Sequence, residues 1–278
     1  MSKIITVINM KGGVGKTTLS VNISYVLSGF HSKKVLLVDI DPQFNATQYL
    51  VEQSRILNHF KNKKTVYDIL MPQKEEEISL SAKRKASKTE PVNLKDYIIS
   101  IVNVTAGGRL DLIPSSLKLI NFDEQGKRGT ENLLKNFLNE KCKEYDFIII
   151  DCPPTLSLLT LSAYLASEFY LIPIKPDYLS SLGLPLLERG LEDYKERFGH
   201  SIELLGIVFT MKDNRSTVAQ EVIQSIEESG WNCFNAHSSQ SVKVARSVNS
   251  LDNFYHYAAS EKYANEFKEI TTELIAKI

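Results

Sequence analysis

Short runs of β-branched and other apolar residues recur along the chain, and helix-sized stretches separate them. The predicted strands are Ile4–Ile8, Val35–Val38, Leu110–Ile113, Phe147–Ile150, Tyr170–Ile174 and Leu204–Phe209. Apolar residues at consecutive positions are typical of strands in a parallel sheet that is covered on both faces. The pattern therefore predicts a central sheet that is buried between two layers.

Helical periodicity fills the stretches between these strands. The predicted helices are Thr17–Ser28, Thr130–Glu140, Leu156–Ala166, Leu182–Phe198 and Ser216–Ser229, followed by a last one from about Ser260 to Ile278. Strands that alternate with helices indicate an α/β fold with a doubly wound, mostly parallel sheet and helices on both faces. We expect a single domain over residues 1–278.

One stretch, at about residues 71–108, interrupts this alternation. It runs from an acidic cluster to a basic one at Lys83, Arg84, Lys85 and Lys88, and then to an extra strand at Tyr97–Val102. Because the neighbouring glutamates neutralise these lysines, the stretch is best explained as a solvated surface insertion.

Composition restricts the classes of protein that remain. The 278 residues carry 33 basic and 33 acidic side chains, which mildly disfavours a polyanionic partner if the charge is evenly spread. Cys142, Cys152 and Cys233 lie far apart, without the spacing of a metal site or a disulfide framework. No apolar run is long enough to span a bilayer, so we expect a cytoplasmic protein without a membrane segment.

The strongest chemical signal is Lys-Gly-Gly-Val-Gly-Lys-Thr-Thr, between the first strand and the first helix. Such a loop directs backbone N–H groups and the positive end of the following helix at phosphate oxygens. We expect Lys16 to contact the β- and γ-phosphates and Thr17 to bind Mg²⁺. The other predicted nucleotide-binding residues of the loop are Gly12, Gly13, Val14, Gly15 and Thr18. Met10 replaces the usual first glycine, and an additional lysine, Lys11, follows it.

Acidic residues follow two of the other strands. Asp151 ends the strand Phe147–Ile150, where it can hold Mg²⁺ through the water shell of the ion. Asp39 and Asp41 follow the strand Val35–Val38, and we expect only one of them to face a γ-phosphate directly.

These motifs together resemble the deviant Walker A ATPases of the ParA/MinD group. The resemblance rests on three motifs, Lys11–Thr18, Val38–Thr47 with Asp39 and Asp41, and Ile150–Pro154 with Asp151. It implies ATP and Mg²⁺ as ligands, with Asp39 close to the metal and Asp41 orienting the attacking water. It also implies that Lys11 reaches the nucleotide of a second subunit, so that ATP binding is coupled to formation of a homodimer. The adenine is expected beside Thr210, Met211 and Asp213.

Three classes of ATPase within this resemblance differ in what they act on. A ParA-like enzyme binds DNA without sequence preference, partitions a plasmid or chromosome, is nucleoid-associated, and hydrolyses ATP under stimulation by a ParB-like partner. Its expected DNA-binding residues here are Lys212, Arg215, Lys243 and Arg246. Doubled by a dimer, this local patch could supply roughly 6–8 phosphate contacts, which makes the zero net charge compatible with switchable DNA binding.

The other two classes fit less well. A MinD-like membrane-cycling ATPase needs a basic amphipathic final helix, whereas glutamates here offset the lysines around Phe267, Ile270 and Leu274. A metal-carrier ATPase needs paired cysteines, which the widely separated Cys142, Cys152 and Cys233 do not supply. A relative that positions protein cargo stays open because it would use the same residues as the ParA-like enzyme. No leader domain that reads an operator is expected before the loop, which begins at Lys11.

Overall fold

The computed structural model describes residues 2–72, 93–105, 107–126, 129–244 and 261–278. Within them lie seven strands: β1 (Lys3–Val7), β2 (Lys34–Asp39), β3 (Ile99–Asn103), β4 (Arg109–Ile113), β5 (Phe147–Asp151), β6 (Phe169–Ile174) and β7 (Glu203–Phe209). They form one sheet in the order β3-β4-β2-β5-β1-β6-β7. All pairs are parallel except β3 with β4. The predicted doubly wound α/β fold is therefore confirmed.

Strand β2 shows why the central strands have apolar residues at consecutive positions. Val35 and Leu37 enter one hydrophobic cluster, whereas Leu36 and Val38 enter a second cluster. Because successive side chains of a strand point to opposite faces, the two clusters lie on the two sides of the sheet. Both faces of the central strands are thus removed from solvent by helices.

Ten α-helices cover this sheet within the described residues. They are α1 (Lys16–Gly29), α2 (Asn45–Leu50), α3 (Gln53–Asn62), α4 (Val66–Leu70), α5 (Ile120–Gln125), α6 (Leu133–Lys141), α7 (Leu158–Ala166), α8 (Tyr178–Phe198), α9 (Thr217–Glu228) and α10 (Glu261–Ala276). Helices α2 to α5 were not predicted, because segments of 5 to 10 residues show too little periodicity. Helix α8 starts four residues earlier than predicted, at Tyr178, because Asp177 caps its first turn.

The prediction of a surface insertion at about residues 71–108 is too wide at its C-terminal end. Its charged cluster lies outside the described residues, but the chain from Asn93 onward belongs to the main fold. Tyr97 is buried against Phe137, and β3 pairs with β4 at the edge of the sheet. The extra strand was predicted at Tyr97–Val102; the observed strand begins two residues later and ends one residue later. Apolar packing at this edge explains why these residues are not part of a surface insertion.

The register of the sheet brings three strand ends together. Asp39 of β2 and Val7 of β1 are both paired with Asp151 of β5. The loop after β1, the loop after β2 and the end of β5 therefore meet at the carboxyl edge of the sheet. In open α/β sheets this edge is where ligands bind.

The last helix, α10, uses its apolar face for packing. Phe267, Ile270 and Leu274 are buried in the same cluster as residues of α1. The predicted core role of this helix is therefore confirmed. Among the helices that the structure describes, none is both long and apolar enough to cross a membrane.

Candidate nucleotide-binding site

Three glycines of the loop, Gly12, Gly13 and Gly15, line a cavity of about 380 Å³ at the carboxyl edge of the sheet. Gly13 and Gly15 have φ values of 72° and 82°, in the left-handed region that favours glycine. A Cβ added to Gly12 or Gly13 would meet no atom within 4 Å, because both residues face the open cavity. The loop therefore presents backbone to a space into which a phosphate chain could enter.

Helix α1 begins at Lys16, directly behind this loop, and its axis starts at the cavity. Its first turn, which the structure describes in full, contains no acidic residue to neutralise the positive end of the helix. Lys16 is nearly buried, and its Nζ donates a hydrogen bond of 2.9 Å to the main-chain oxygen of Lys11. Burial lowers the pKa of Lys16, although the nearby Asp151 opposes the shift. An anion in the cavity would stabilise this charge.

Asp151 is fully buried below the loop and accepts hydrogen bonds from two residues of α1. Thr17 Oγ1 donates to its Oδ2 over 2.7 Å, and Ser20 Oγ donates to its Oδ1 over 2.9 Å. Burial raises the pKa of Asp151, and these two hydrogen bonds act in the opposite direction. The contact brings together the hydroxyl and the carboxylate that were predicted to serve a metal ion.

Asp39 lies beside Asp151 and is also fully buried. Its Oδ2 accepts hydrogen bonds from the backbone N–H and the hydroxyl of Thr47, at 2.8 and 2.7 Å. Burial and the charge of Asp151 both raise the pKa of Asp39 well above its ordinary value. Mg²⁺ prefers oxygen ligands and few direct protein contacts. The hydroxyl of Thr17 and the two neighbouring carboxylates therefore fit a magnesium ion held close to the loop.

Asp41 lines the cavity opposite Lys16 and Thr17. Its Oδ1 accepts a hydrogen bond of 2.9 Å from the N–H of Gln43, and its main-chain oxygen accepts one of 2.6 Å from Ser115 Oγ. Burial raises the pKa of this carboxyl, and the hydrogen bond from Gln43 and the charge of Lys16 oppose the shift. Of the two aspartates at the end of β2 and just beyond it, Asp41 lines the cavity and Asp39 is bonded to Thr47.

Lys11 is held at the start of the loop by contacts on both its backbone and its side chain. Its N–H donates to Asn9 Oδ1 over 2.9 Å. Its Nζ donates to Oδ1 and Oδ2 of Asp177, at 2.6 and 2.8 Å, and to Ser180 Oγ at 3.1 Å. In this structure the lysine thus contacts the start of α8 of its own chain.

A second, smaller cavity of about 110 Å³ adjoins the loop on the side of β7. Thr210 and Met211 line it, and Thr210 Oγ1 donates a hydrogen bond of 2.6 Å to the oxygen of Val14. The opposite wall was not predicted from the sequence: it consists of Ser238, Ser239, Ser241, Val244 and Phe267. Asp213, the third residue predicted for the base, does not line this cavity.

Asp213 instead lines an outer cavity of about 480 Å³ with Lys212, Arg215 and Lys262. The guanidinium of Arg215 is almost fully exposed and lies 3.4 Å from Asp213 Oδ1. Lys243 is exposed on the segment that follows α9, whereas Arg246 lies outside the described residues. Three of the four predicted DNA-binding residues are therefore on accessible segments near the smaller cavity.

Several residues of the site were not predicted from the sequence. Thr47 is the last residue of the motif Val38–Thr47, but its contact with Asp39 depends on the turn into α2. Ser115 and Asp177 belong to connections that follow β4 and β6, with no motif of their own. Their position after parallel strands was the one available signal, because such ends gather at the same edge.

The fold and this loop define the class of P-loop nucleotide-binding proteins. A family model described as an AAA domain matches residues 2–204. The sporulation initiation inhibitor protein Soj of Bacillus subtilis is 34% identical over 231 residues, which cover 82% of this chain and 80% of that protein. The chromosome-partitioning ATPase Soj of Treponema pallidum is 31% identical and covers 100% of this chain and 98% of its own length. The chain therefore belongs to the ParA/Soj family of ATPases.

Solved structures of other proteins have the same fold as this chain. A Borrelia burgdorferi B31 structure described as a plasmid partition protein bound to AMPPNP superimposes with a TM-score of 0.78. It is 26% identical, and the match covers 100% of both chains. A complex of a Cyanothece McdA variant with ATP superimposes with a TM-score of 0.76 over 99% of this chain and 96% of McdA. It is 21% identical, so it supports the fold alone.

Proposed function

We propose that this protein is a ParA-type ATPase that segregates DNA, either a plasmid or a chromosome. In this proposal residues 1–278 act as one ATPase domain that dimerises on binding ATP and Mg²⁺, binds DNA without sequence preference, and is released when a ParB-like partner stimulates hydrolysis. The observation that carries the proposal is that Lys16, Thr17 and Asp41 line one cavity at the carboxyl edge of the sheet, with Asp151 hydrogen-bonded to Thr17 below it.

The residues around the cavity divide between binding and hydrolysis. The backbone from Gly12 to Thr18 and the side chain of Lys16 bind the phosphates. Thr17, with Asp39 and Asp151 behind it, holds Mg²⁺, which neutralises charge on the phosphate oxygens when it is bound. Asp41 orients a water molecule, and a carboxylate is a weak base, so hydrolysis without a partner is slow. The base occupies the smaller cavity beside Thr210 and Met211, whereas the location of Asp213 favours the DNA-facing surface.

The dimer surface is proposed around Lys11. Leu179, Leu182 and Leu186 are 61–71% exposed on the face of α8 that begins beside the Lys11–Asp177 contact. An apolar stripe of this kind is typical of a surface that is covered by a partner. A second copy of the chain would cover it and bring the two Lys11 side chains towards the nucleotides. Leu182→Gln should therefore weaken ATP-dependent dimerisation about tenfold, whereas Leu117→Gln, an exposed leucine elsewhere, should not.

The DNA surface is proposed at the outer cavity. Lys212 and Arg215 line it, Lys243 follows on the adjacent loop, and Arg246 is included from the sequence alone. A dimer presents this patch twice, which suits a protein of zero net charge that binds the nucleoid reversibly. The buried apolar face of α10 disfavours a membrane-bound cycle, because that face is already used in the core.

Positioning of a protein cargo on DNA is the alternative function. It would use the same nucleotide and DNA surfaces, and its support here is limited to the fold that the chain shares with McdA. The two functions differ in the partner that stimulates hydrolysis. A partner encoded with a DNA site that it binds specifically would favour segregation, and a partner that binds a protein assembly would favour cargo positioning.

The decisive experiment measures DNA binding with ATP, with ADP and without nucleotide at about 50 and 200 mM salt. We expect binding of random-sequence DNA with ATP only, and an affinity that falls steeply with salt because several phosphates are contacted. Arg215→Ala should weaken it. Lys143→Ala is the matched control, because Lys143 is exposed near the opposite end of β5. Binding that is equal in all nucleotide states, or insensitive to salt, would contradict the proposal.

A further inference from the structure

Ser115 is the second residue beyond β4 and is fully buried beneath the loop that carries Asp41. Its Oγ donates a hydrogen bond of 2.6 Å to the main-chain oxygen of Asp41. Its backbone N–H donates one of 3.1 Å to Oγ1 of Thr47. In sequence, Ser115 is far from the phosphate loop and from both aspartates. Its two contacts connect the end of β4 to the loop after β2.

The two contacts of Ser115 are part of a connected set of hydrogen bonds. Thr47 Oγ1, which accepts from Ser115, donates to Asp39 Oδ2 over 2.7 Å. Asp39 Oδ1 in turn accepts from the N–H of Asp41 at 3.2 Å. The backbone of Asp41 is therefore fixed on its N–H side by Asp39 and on its carbonyl side by Ser115. Buried polar groups that satisfy one another in this way have few alternative arrangements.

The loop needs such fixing because its own backbone is strained. Phe44, three residues after Asp41, has a φ of 44°, in the left-handed region that residues other than glycine rarely adopt. Its N–H donates to the same main-chain oxygen of Asp41 that accepts from Ser115. A residue that must orient water tolerates little displacement, since an error of about 1 Å can lower turnover about a hundredfold.

We propose that Ser115 is a positioning residue for ATP hydrolysis, which holds Asp41 at the distance from the cavity that orientation of water requires. The inference rests on the proposed hydrolytic role of Asp41. Ser115 lines neither nucleotide cavity, so it acts on turnover through Asp41 and not through contact with the nucleotide. Its removal should therefore change kcat and leave nucleotide binding intact.

The first test compares Ser115→Ala with wild type in steady-state ATP hydrolysis without DNA. We expect kcat to fall about tenfold, with KM for ATP and affinity for a non-hydrolysable analogue within about twofold of wild type. Ser116→Ala is the matched control, because its hydroxyl accepts only a 3.3 Å hydrogen bond from Lys118 N–H and it should keep full turnover. An unchanged kcat, or a KM that rises as much as kcat falls, would overturn the inference.

The second test asks whether Ser115 acts through Asp41. Single-turnover hydrolysis is measured for Asp41→Asn alone and combined with Ser115→Ala. If Ser115 only positions Asp41, the second substitution produces no further loss, whereas a further tenfold loss would assign Ser115 a separate role. Thermal unfolding of each variant shows whether it is folded at the assay temperature.

A parallel pair of variants covers the case in which Ser115→Ala does not fold. Thr47→Val removes the hydroxyl that links Ser115 to Asp39 at nearly constant volume, and should lower kcat with little effect on KM. Thr47→Ser keeps the hydroxyl and should restore turnover; failure to restore it would contradict the inference. If the wild-type chain itself does not hydrolyse ATP, the proposed function fails. If it does and Ser115→Ala is as active, only this inference fails.

Discussion

The Nζ atom of Lys11 lies 2.6 Å from Oδ1 and 2.8 Å from Oδ2 of Asp177 in the same chain. Asp177 also caps α8 by accepting a hydrogen bond from Ser180 N–H. Burial alone would raise the pKa of Asp177, but hydrogen bonds from Lys11 and Ser180 outweigh it and hold the pKa below its ordinary value. The contribution of this pair is present above the ordinary carboxyl pKa, so it is complete at neutral pH.

This ion pair should compete with dimer formation. If Lys11 contacts the nucleotide of a second subunit, it must first leave Asp177. Asp177→Asn removes the charge and keeps a good helix cap. Because both side chains are about a third exposed, each pair contributes at most about 1 kcal/mol. Dimer formation breaks one pair in each subunit, at most about 2 kcal/mol in total, so the dissociation constant of the ATP-dependent dimer should fall by up to about thirtyfold. Sedimentation with a non-hydrolysable ATP analogue measures this directly.

Two further variants interpret the result for Asp177. Ser180→Ala removes the 3.1 Å contact to Lys11 and the 3.0 Å hydrogen bond to Asp177 Oδ1 but keeps the Lys11–Asp177 ion pair, so it should change the dimer constant less than Asp177→Asn does. Lys11→Ala should abolish ATP-dependent dimers in the same assay. A weaker dimer in Asp177→Asn would mean that Asp177 itself contributes to the interface, which is the opposite of the expected effect.

The sheet and the phosphate loop could be predicted because their signals are local. The residues from Lys11 to Thr18 are contiguous, and the strands before and after are apolar at successive positions. The meeting of Asp41 with the loop also follows from sequence, since the ends of parallel strands share one edge. The structure adds the division of labour between Asp39, which faces Thr47, and Asp41, which faces the cavity.

The contacts of Ser115 and Asp177 could not be predicted from the sequence. Ser115 binds a residue 74 positions away, and Asp177 binds one 166 positions away. Serine and aspartate after a strand most often make turns, so neither residue type indicated a partner. The short helices after Asp41 were missed for a related reason: tertiary packing decides whether segments of about one turn become helical.

Replacement of Asp41 should separate nucleotide binding from hydrolysis. Asp41→Asn can still accept the hydrogen bond from Gln43 N–H, so the loop should keep its conformation. Without the carboxylate, the attacking water loses its orienting group, and we expect kcat to fall about a hundredfold or more. Quench-flow measurement of ADP formation tests this. The variant should also stay on DNA with ATP; a variant that still cycles between bound and free states would remove Asp41 from this role.

The stability of the fold should depend on a buried group at the other end of the sheet. Tyr145 OH donates a hydrogen bond of 2.7 Å to Oδ2 of Asp111, which also lies 2.8 Å from Arg109 Nε. Tyr145→Phe leaves this buried carboxylate with one partner fewer and should lower the free energy of unfolding by about 1–2 kcal/mol. Urea titration measures the loss. Turnover of ATP should be unchanged, because the strand starts lie opposite the nucleotide cavity.

The loop around Ser239 connects the nucleotide side of the molecule with the basic surface. Ser239 lines both the smaller cavity beside Met211 and the outer cavity beside Lys212. Glu266 of α10 fixes this loop by accepting hydrogen bonds from Ser239 N–H, at 2.8 Å, and from Ser239 Oγ, at 2.6 Å. A shift of Ser239 on nucleotide binding would therefore also change the outer cavity beside Lys212. Without nucleotide, the hydrogen bonds to Glu266 restrain the loop.

Loosening this loop should reduce the effect of ATP on DNA binding. Glu266→Gln replaces one of the two acceptor oxygens by an NH₂ group, which cannot accept from Ser239. The ratio of DNA affinity with ATP to affinity without nucleotide should fall about tenfold, while binding without nucleotide stays the same. Fluorescence anisotropy of a labelled duplex measures both affinities. Glu269→Gln, on the exposed side of α10, is the control and should retain the full ratio. Equal ratios in both variants would show that α10 does not link the two surfaces through Ser239.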